Sequence, residues 1–218
     1  MRRVIPEIQA IAENAREALA AKNRAREAAL GRCREALRHS ANAIRAVHRG
    51  EFDEAERLVD QAGLLLREAA DALRDHPDIF YAGFVHDSQK EYAEAKVTLA
   101  VVAAGRYPLP RPEDIDVELP AYLNGLGEVV GELRRHLLDA LRAGQIEHCE
   151  ECLDVMDEIY GILVTFDYPD AMTGGLRRTT DSVRGILERT RGDLTVAAGQ
   201  AELAKTLAEF EERLRRNP

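Results

Sequence analysis

Two acidic segments hold the residues of this chain whose types and spacing could do chemistry. QKEYAEA carries Glu91 and Glu94, and GQIEHCEECLDVMDEIY carries Glu147 and Glu151, each set into an otherwise apolar helical pattern. Carboxylates on the inner edge of a helix bundle repel one another unless a cation or a shared proton offsets them, so paired sets point to a divalent-metal site. Glu128 and Glu132, four residues apart, add a third pair. Oxygen-only ligands suit Mg²⁺ or Mn²⁺, which could position a phosphodiester, polarise it and activate water. The competing reading of the same residues is an acidic flank left in solvent. His86 and His148 sit beside the acids and could act as acid or base, but each is a single histidine on a charged face.

The elements that must position these side chains are helices. Alanine, leucine, glutamate and arginine are abundant, tryptophan is absent and phenylalanine is scarce. Straight-chain residues lose little rotamer freedom in a helix, so the class is all-α, one domain over residues 1–218. Apolar periodicity and breakers predict seven helices. The first is very long, about Pro6 to His48, and closes at Gly50. The others run about Asp53 to Arg74, Asp78 to Ala104, Pro120 to Arg142, Ile146 to Phe166, Leu176 to Thr190 and Leu194 to Arg215, the last two separated at RGD 191–193. A helix of some forty residues spans roughly 60 Å, more than a compact monomer of this size can cover, which implies oligomerisation.

On the third helix Asp87, Glu91, Glu94 and Thr98 follow steps of four and three and share one stripe with Phe80 and Phe84. On the fifth, Glu147, Glu151, Asp154 and Glu158 flank an apolar stripe of Ile146, Cys149, Leu153, Met156 and Tyr160. Three consecutive helices could thus direct carboxylates into one cleft.

The chain has a formal charge of −9, yet residues 1–50 hold eleven Arg or Lys against five Glu. A local basic field can attract phosphate whatever the overall charge. Arg24, Arg34, Arg38 and Arg45 recur close to a common face of the first helix and are candidate nucleic-acid contacts; a solvated face laced by Glu27 and Glu35 is the alternative. Cys33, Cys149 and Cys152 make an odd number without a second CxxC, so core packing is preferred to a structural zinc site. No apolar run reaches eighteen residues, and MRRVIPEIQA has no signal-peptide pattern. A soluble, cytoplasmic protein without membrane association is expected.

Three separated segments, YAGFVHDSQKEYAEA, YLNGLGEVVGELRRHLLDALRAGQIEHCEECLDVMDEIYGIL and FDYPDAMTGGLRRTTDSVRGILERTRGDLTVA, resemble the translin family in order and without large insertions. The likeness is strongest to its archaeal members related to translin-associated factor X. It implies a seven-helix fold assembled into a hollow octamer or a related oligomer, and a Mg²⁺-dependent endoribonuclease acting on single-stranded or short RNA inside the shell. It carries metal-binding roles onto Glu91 and Glu94, and a second acidic motif onto Glu147 and Glu151, where Glu147 replaces an aspartate and is longer by one methylene. The acidic residue before the family's Gly-Glu-Leu motif falls on Glu128, and Glu132 lies within that motif. The partners implied are single-stranded RNA, single-stranded DNA as a second candidate, and further copies of the chain.

Two rival readings fit the same residues. One is a non-catalytic single-strand-binding oligomer like translin itself. The other is an all-α nucleoside triphosphate pyrophosphohydrolase, whose Glu-x-x-Glu and Glu-x-x-Asp pattern is imitated by Glu91/Glu94 and Glu151/Asp154 at an uncomfortably long separation.

Overall fold

The computed structural model describes residues 4–216, and among them there are α-helices and one short 3-10 turn but no strand. Helix α1 (Val4–His48) is followed by α2 (Phe52–Ala72), the single turn α3 (Pro77–Phe80) and α4 (Phe84–Val102). The 3-10 turn Pro112–Ile115 leads to α5 (Leu119–Arg142), α6 (Ile146–Leu163), the single turn α7 (Asp170–Thr173) and α8 (Leu176–Arg216).

The core is built from small and aliphatic faces. Ala29, Cys33, Ala36, Ser40, Ala43 and Val47 of α1 are buried, recurring at three- and four-residue steps that keep them on one side of the helix. That side packs on α2 and α4; α4 packs on α5, and α5 on both α6 and α8. Leu133 and Leu137 of α5, Met156 and Leu163 of α6, and Leu176 and Leu187 of α8 complete the interior.

Two helix boundaries differ from those expected. The segment from Asp78 to Ala104 is not one helix: the chain breaks after Phe80, and Gly83, at φ +103°, takes a conformation that a side chain would resist, before α4 begins. Conversely, the break expected at RGD 191–193 does not occur, and α8 continues through it. Glycine costs a helix only about 1 kcal/mol, and buried Leu187, Thr190 and Leu194 anchor the turns on either side.

The ends of the two longest helices project from the packed body. From Val4 to Arg24 α1 is almost wholly exposed, including Ile5, Ile8, Ile11 and Leu19, and the distal part of α8 exposes Val196, Leu203, Leu207 and Phe210. No helix among the described residues is long and apolar enough to cross a membrane.

Candidate metal centre

The α4–α5 crossing determines which carboxylates meet. At Gly125 of α5, an added Cβ would stand 2.6 Å from the Lys90 carbonyl oxygen and 3.1 Å from the Glu94 amide nitrogen. Only a residue without a side chain lets the two backbones approach this closely. One turn further along α5, Glu128 is thereby brought against Glu91 and Glu94, and one oxygen from each of the three carboxylates lies within 4.8 Å of the other two.

Glu94 is the most enclosed of the three, with 6% of its surface exposed. Burial pushes its carboxyl up to about 8, and the negative charges of Glu91, Glu128 and Glu132 add to the effect. Glu91 is also raised, by burial first, with Lys90 working against the shift. The Lys90 ammonium lies 2.5 Å from Glu128 Oε1 and 3.5 Å from Glu91 Oε1. Burial alone would lower Lys90, but Glu128 and Glu91 outweigh it and hold the ammonium above its ordinary value. The cluster therefore concentrates negative charge around Glu94 and balances part of it with one internal cation, Lys90.

Glu132, one turn beyond Glu128, points to a different partner. Its Oε2 is 2.5 Å from Nε2 of His48, a side chain almost fully enclosed at the C-terminal end of α1. This contact ties the long first helix to the acidic stripe of α5 and fixes Glu132 beside the three-carboxylate cluster.

Within the single chain, Glu147 and Glu151 stand apart from that cluster. Both are exposed on the first turns of α6, and Glu151 contacts His148 Nδ1 at 3.3 Å instead of an acidic neighbour. The reason is register. Helix α6 returns antiparallel to α5 through the tight turn at Ala143–Gln145, so its first turns lie beside His136 and Leu137, as the His136–His148 and Cys149–Leu137 contacts record. His136 is eight residues from Glu128, about 12 Å along the helix. His86 likewise lies elsewhere, against Gly174.

Arg24, Arg34, Arg38 and Arg45 are all exposed. Arg38 pairs with Glu35 and Arg45 donates to Asn42 Oδ1. At about 100° per residue they occupy the face of α1 opposite the one packed on α2 and α4, so they point away from the carboxylates of their own chain. A surface concavity lined by Tyr160, Phe166, Tyr168, Arg177 and Asp181 does not include those carboxylates.

The residues present fit a hard divalent cation. Three converging oxygen donors, one of them in a carboxyl raised first by burial and then by its acidic neighbours, suit Mg²⁺ or Mn²⁺ and offer no soft donor. Chemically, such a centre can bind and polarise a phosphate oxygen.

No family model matches the chain. It is 30% identical over 190 residues to an uncharacterised protein of Methanocaldococcus jannaschii, spanning 87% of this chain and 83% of the relative. Among solved structures, it is similar to AfC3PO in complex with duplex RNA, with a TM-score of 0.77 and 34% identity over 86% of this chain and 96% of that one. AfC3PO alone gives the same TM-score at 33% identity, covering 86% of this chain and 97% of that one. Apo-NeC3PO shares the fold, with a TM-score of 0.75 at 20% identity over 85% of this chain and 96% of that one.

Proposed function

The chain belongs to the translin family, and on that footing we propose that it is a metal-dependent endoribonuclease, hydrolysing phosphodiester bonds in single-stranded or short RNA within an oligomeric shell of helices. The observation that carries this reading is the convergence of Glu91, Glu94 and Glu128 across the α4–α5 crossing, with Glu94 pushed up to about 8. A buried carboxyl such as Glu94 has no role in packing that an apolar residue would not fill better.

Glu91, Glu94 and Glu128 would hold Mg²⁺ or Mn²⁺, with Glu132 beside them. The bound ion supplies Lewis acidity toward a phosphate oxygen and lowers the pKa of bound water. Glu94 must give up its proton for the ion to bind. His48 holds the Glu132 carboxylate in place, and Lys90, at the edge of the cluster, offers an ammonium to a phosphate once its carboxylate partners are engaged.

The oligomer is supported by the exposed apolar residues of the projecting ends of α1 and α8, which a neighbouring copy would cover. RNA as partner is supported by the duplex-RNA complex of AfC3PO. Arg24, Arg34, Arg38 and Arg45 would meet phosphates on the outer face of α1, which serves RNA bound at a neighbouring subunit better than RNA at the chain's own carboxylates. An octamer, single-stranded DNA as a further ligand, and a cytoplasmic location belong to the same proposal.

A second reading is a translin-like oligomer that binds RNA without cutting it. The position of Lys90 favours it, since an internal ammonium already neutralises part of the cluster. The deciding experiment is cleavage of a labelled single-stranded RNA and a short duplex by purified protein in Mg²⁺, Mn²⁺ or EDTA, beside Glu91→Gln and Glu94→Gln. Metal-dependent cutting that both variants lose is the expected result. RNA binding without cutting in every metal overturns the enzyme reading in favour of the binding protein.

A further inference from the structure

One turn below Glu132 on the same stripe of α5 there is a second cluster of different chemistry. His136 Nε2 lies 2.9 Å from His148 Nε2, with the rings edge-to-face, and Cys152 Sγ lies 4.0 Å from the same His148 nitrogen. One ligand atom from each of the three residues falls within 4.8 Å of the other two. His148 and Cys152 are four residues apart on α6, so they share a face, and α5 supplies His136 from across the interface.

We infer that His136, His148 and Cys152 form a site for a divalent ion of the zinc class, distinct from the carboxylate centre and linking α5 to α6. Three observations carry this beyond proximity. The donor set is two imidazoles and a thiol, the ligands that borderline-soft ions prefer and that Mg²⁺ does not. The spacing is also close to what one ion requires. With bonds of about 2.0 Å to nitrogen and 2.3 Å to sulfur at tetrahedral angles, ligand atoms stand roughly 3.3 to 3.6 Å apart, and 2.9 and 4.0 Å bracket that range. The third observation is the outer support of one ligand. Glu151 Oε2 lies 3.3 Å from His148 Nδ1, so a proton on Nδ1 leaves Nε2 as a bare lone pair aimed into the cluster, the arrangement that carboxylates impose on metal-ligating histidines.

With the His148 proton on Nδ1 beside Glu151, the facing nitrogens without metal share one hydrogen bond in which His136 Nε2–H donates to His148 Nε2. Loading moves the His136 proton to Nδ1 and releases the Cys152 thiol proton to solvent, so that one ion replaces one proton. His148 is half exposed, so the cluster is open to solvent on that side. The site also gives Glu151 a role that its distance from the carboxylate cluster had left open, as a positioning residue for His148.

The test uses the full chain, stripped of metal and kept in excess Mg²⁺ to occupy the carboxylates. Zn²⁺ affinity is measured by competition with a chromophoric chelator, and Co²⁺ is added separately to read thiolate-to-cobalt charge transfer. One Zn²⁺ per chain is expected. His148→Gln and Cys152→Ser should weaken it by on the order of 100-fold or more, and Glu151→Gln by about tenfold. Cys149→Ser and Glu94→Gln should leave the affinity unchanged, and Cys152→Ser alone among the cysteine variants should remove the cobalt band. Loss of Zn²⁺ binding in Glu94→Gln with retention in His148→Gln would place the ion on the carboxylates and overturn the inference, as would a cobalt spectrum without a thiolate band. X-ray absorption of the zinc-loaded wild-type chain, which depends on no variant folding, should resolve one sulfur and two imidazole ligands; an all-oxygen shell would also overturn it.

Discussion

The acids of the α4–α5 crossing and those at the start of α6 are the same residue types at similar helical spacings, yet they occupy opposite environments. Glu91, Glu94 and Glu128 converge where Gly125 lets two backbones close on each other, and the enclosed Glu94 is pushed up to about 8. Glu147 and Glu151 lie on exposed turns of α6, and Glu151 finds a histidine instead of another carboxylate. What distinguishes the two regions is the packing around the carboxylates, since burial raises the cost of the charged form and only mutual proximity makes a cation the remedy.

The sharpest way to break this comparison is to neutralise one acid from each region. Glu94→Gln should lower metal-dependent RNA cleavage by several kcal/mol of barrier, roughly a thousandfold. Glu147→Gln and Glu151→Gln should change it by no more than about threefold in the same assay with Mg²⁺ saturating and zinc absent. Equal losses in the two regions would return Glu147 and Glu151 to the catalytic set and show that the assembled protein brings them together.

The second effect concerns pH and the metal-free protein. Glu94 titrates near its ordinary 4.5 in the unfolded chain and at about 8 in the folded one. Between those values the folded state keeps a proton that the unfolded state has released. Stability is therefore full below about pH 4.5 and falls as pH rises toward about 8, by on the order of a few kcal/mol. Chemical denaturation at pH 5, 6.5 and 8 in EDTA should show this decline, and Glu94→Gln or saturating Mg²⁺ should flatten it. A decline equally steep in Glu94→Gln would assign it to other groups.

A smaller effect tests the crossing itself. Gly125→Ala places a methyl group against the Lys90 carbonyl and the Ala93 side chain, and the backbone there has no flexible end to move aside. The substitution should cost about 1–3 kcal/mol of stability and should weaken Mg²⁺ binding, because Glu128 recedes from Glu91 and Glu94. The equivalent change at Gly131, where an added Cβ meets nothing within 4 Å, should be neutral or mildly stabilising. Loss of stability without loss of metal binding would separate the packing role of Gly125 from the assembly of the site.

Much of this was legible in the residues, and the parts that were not share a cause. Period and breakers located α1, α2, α5 and the start of α6 closely, because their signals are local: a buried small-residue face, a closing glycine, a proline at the first turn. The stripe of Glu91 and Glu94 was legible for the same reason. Which other acids join it depends on how far along α5 the α4 crossing falls, and that depends on backbone approach at a single glycine. The segment YLNGLGE holds the signal, since Gly125 and Gly127 are small residues on faces that meet α4 and α8 respectively. The second cluster was hidden in the same way. His148 and Cys152 at four-residue spacing are visible in the sequence, but His136 joins them only because the turn at 143–145 sets the antiparallel register of α5 and α6. Helix α8 runs through its expected break for a different reason: Gly192 weakens a helix locally, and the buried leucines on both sides restore it.

The smallest effect turns on Lys90, whose ammonium reaches both Glu91 and Glu128. If the cluster exists to bind an ion, this ammonium competes for two of the three carboxylates, and Lys90→Met should raise Mg²⁺ affinity by about fivefold, the scale of a partly exposed ion pair. Cleavage at saturating Mg²⁺ would then fall if the ammonium also meets the scissile phosphate, so affinity and maximal rate should move in opposite directions. If the cluster is a charge-balanced structural feature, the same substitution leaves three carboxylates without a counter-charge. The variant should then lose stability, and added Mg²⁺ should not restore it. Thermal denaturation of Lys90→Met with and without Mg²⁺ separates the two: recovery by the ion identifies the α4–α5 acids as a cation site, and its absence identifies Lys90 as the cation for which they were built.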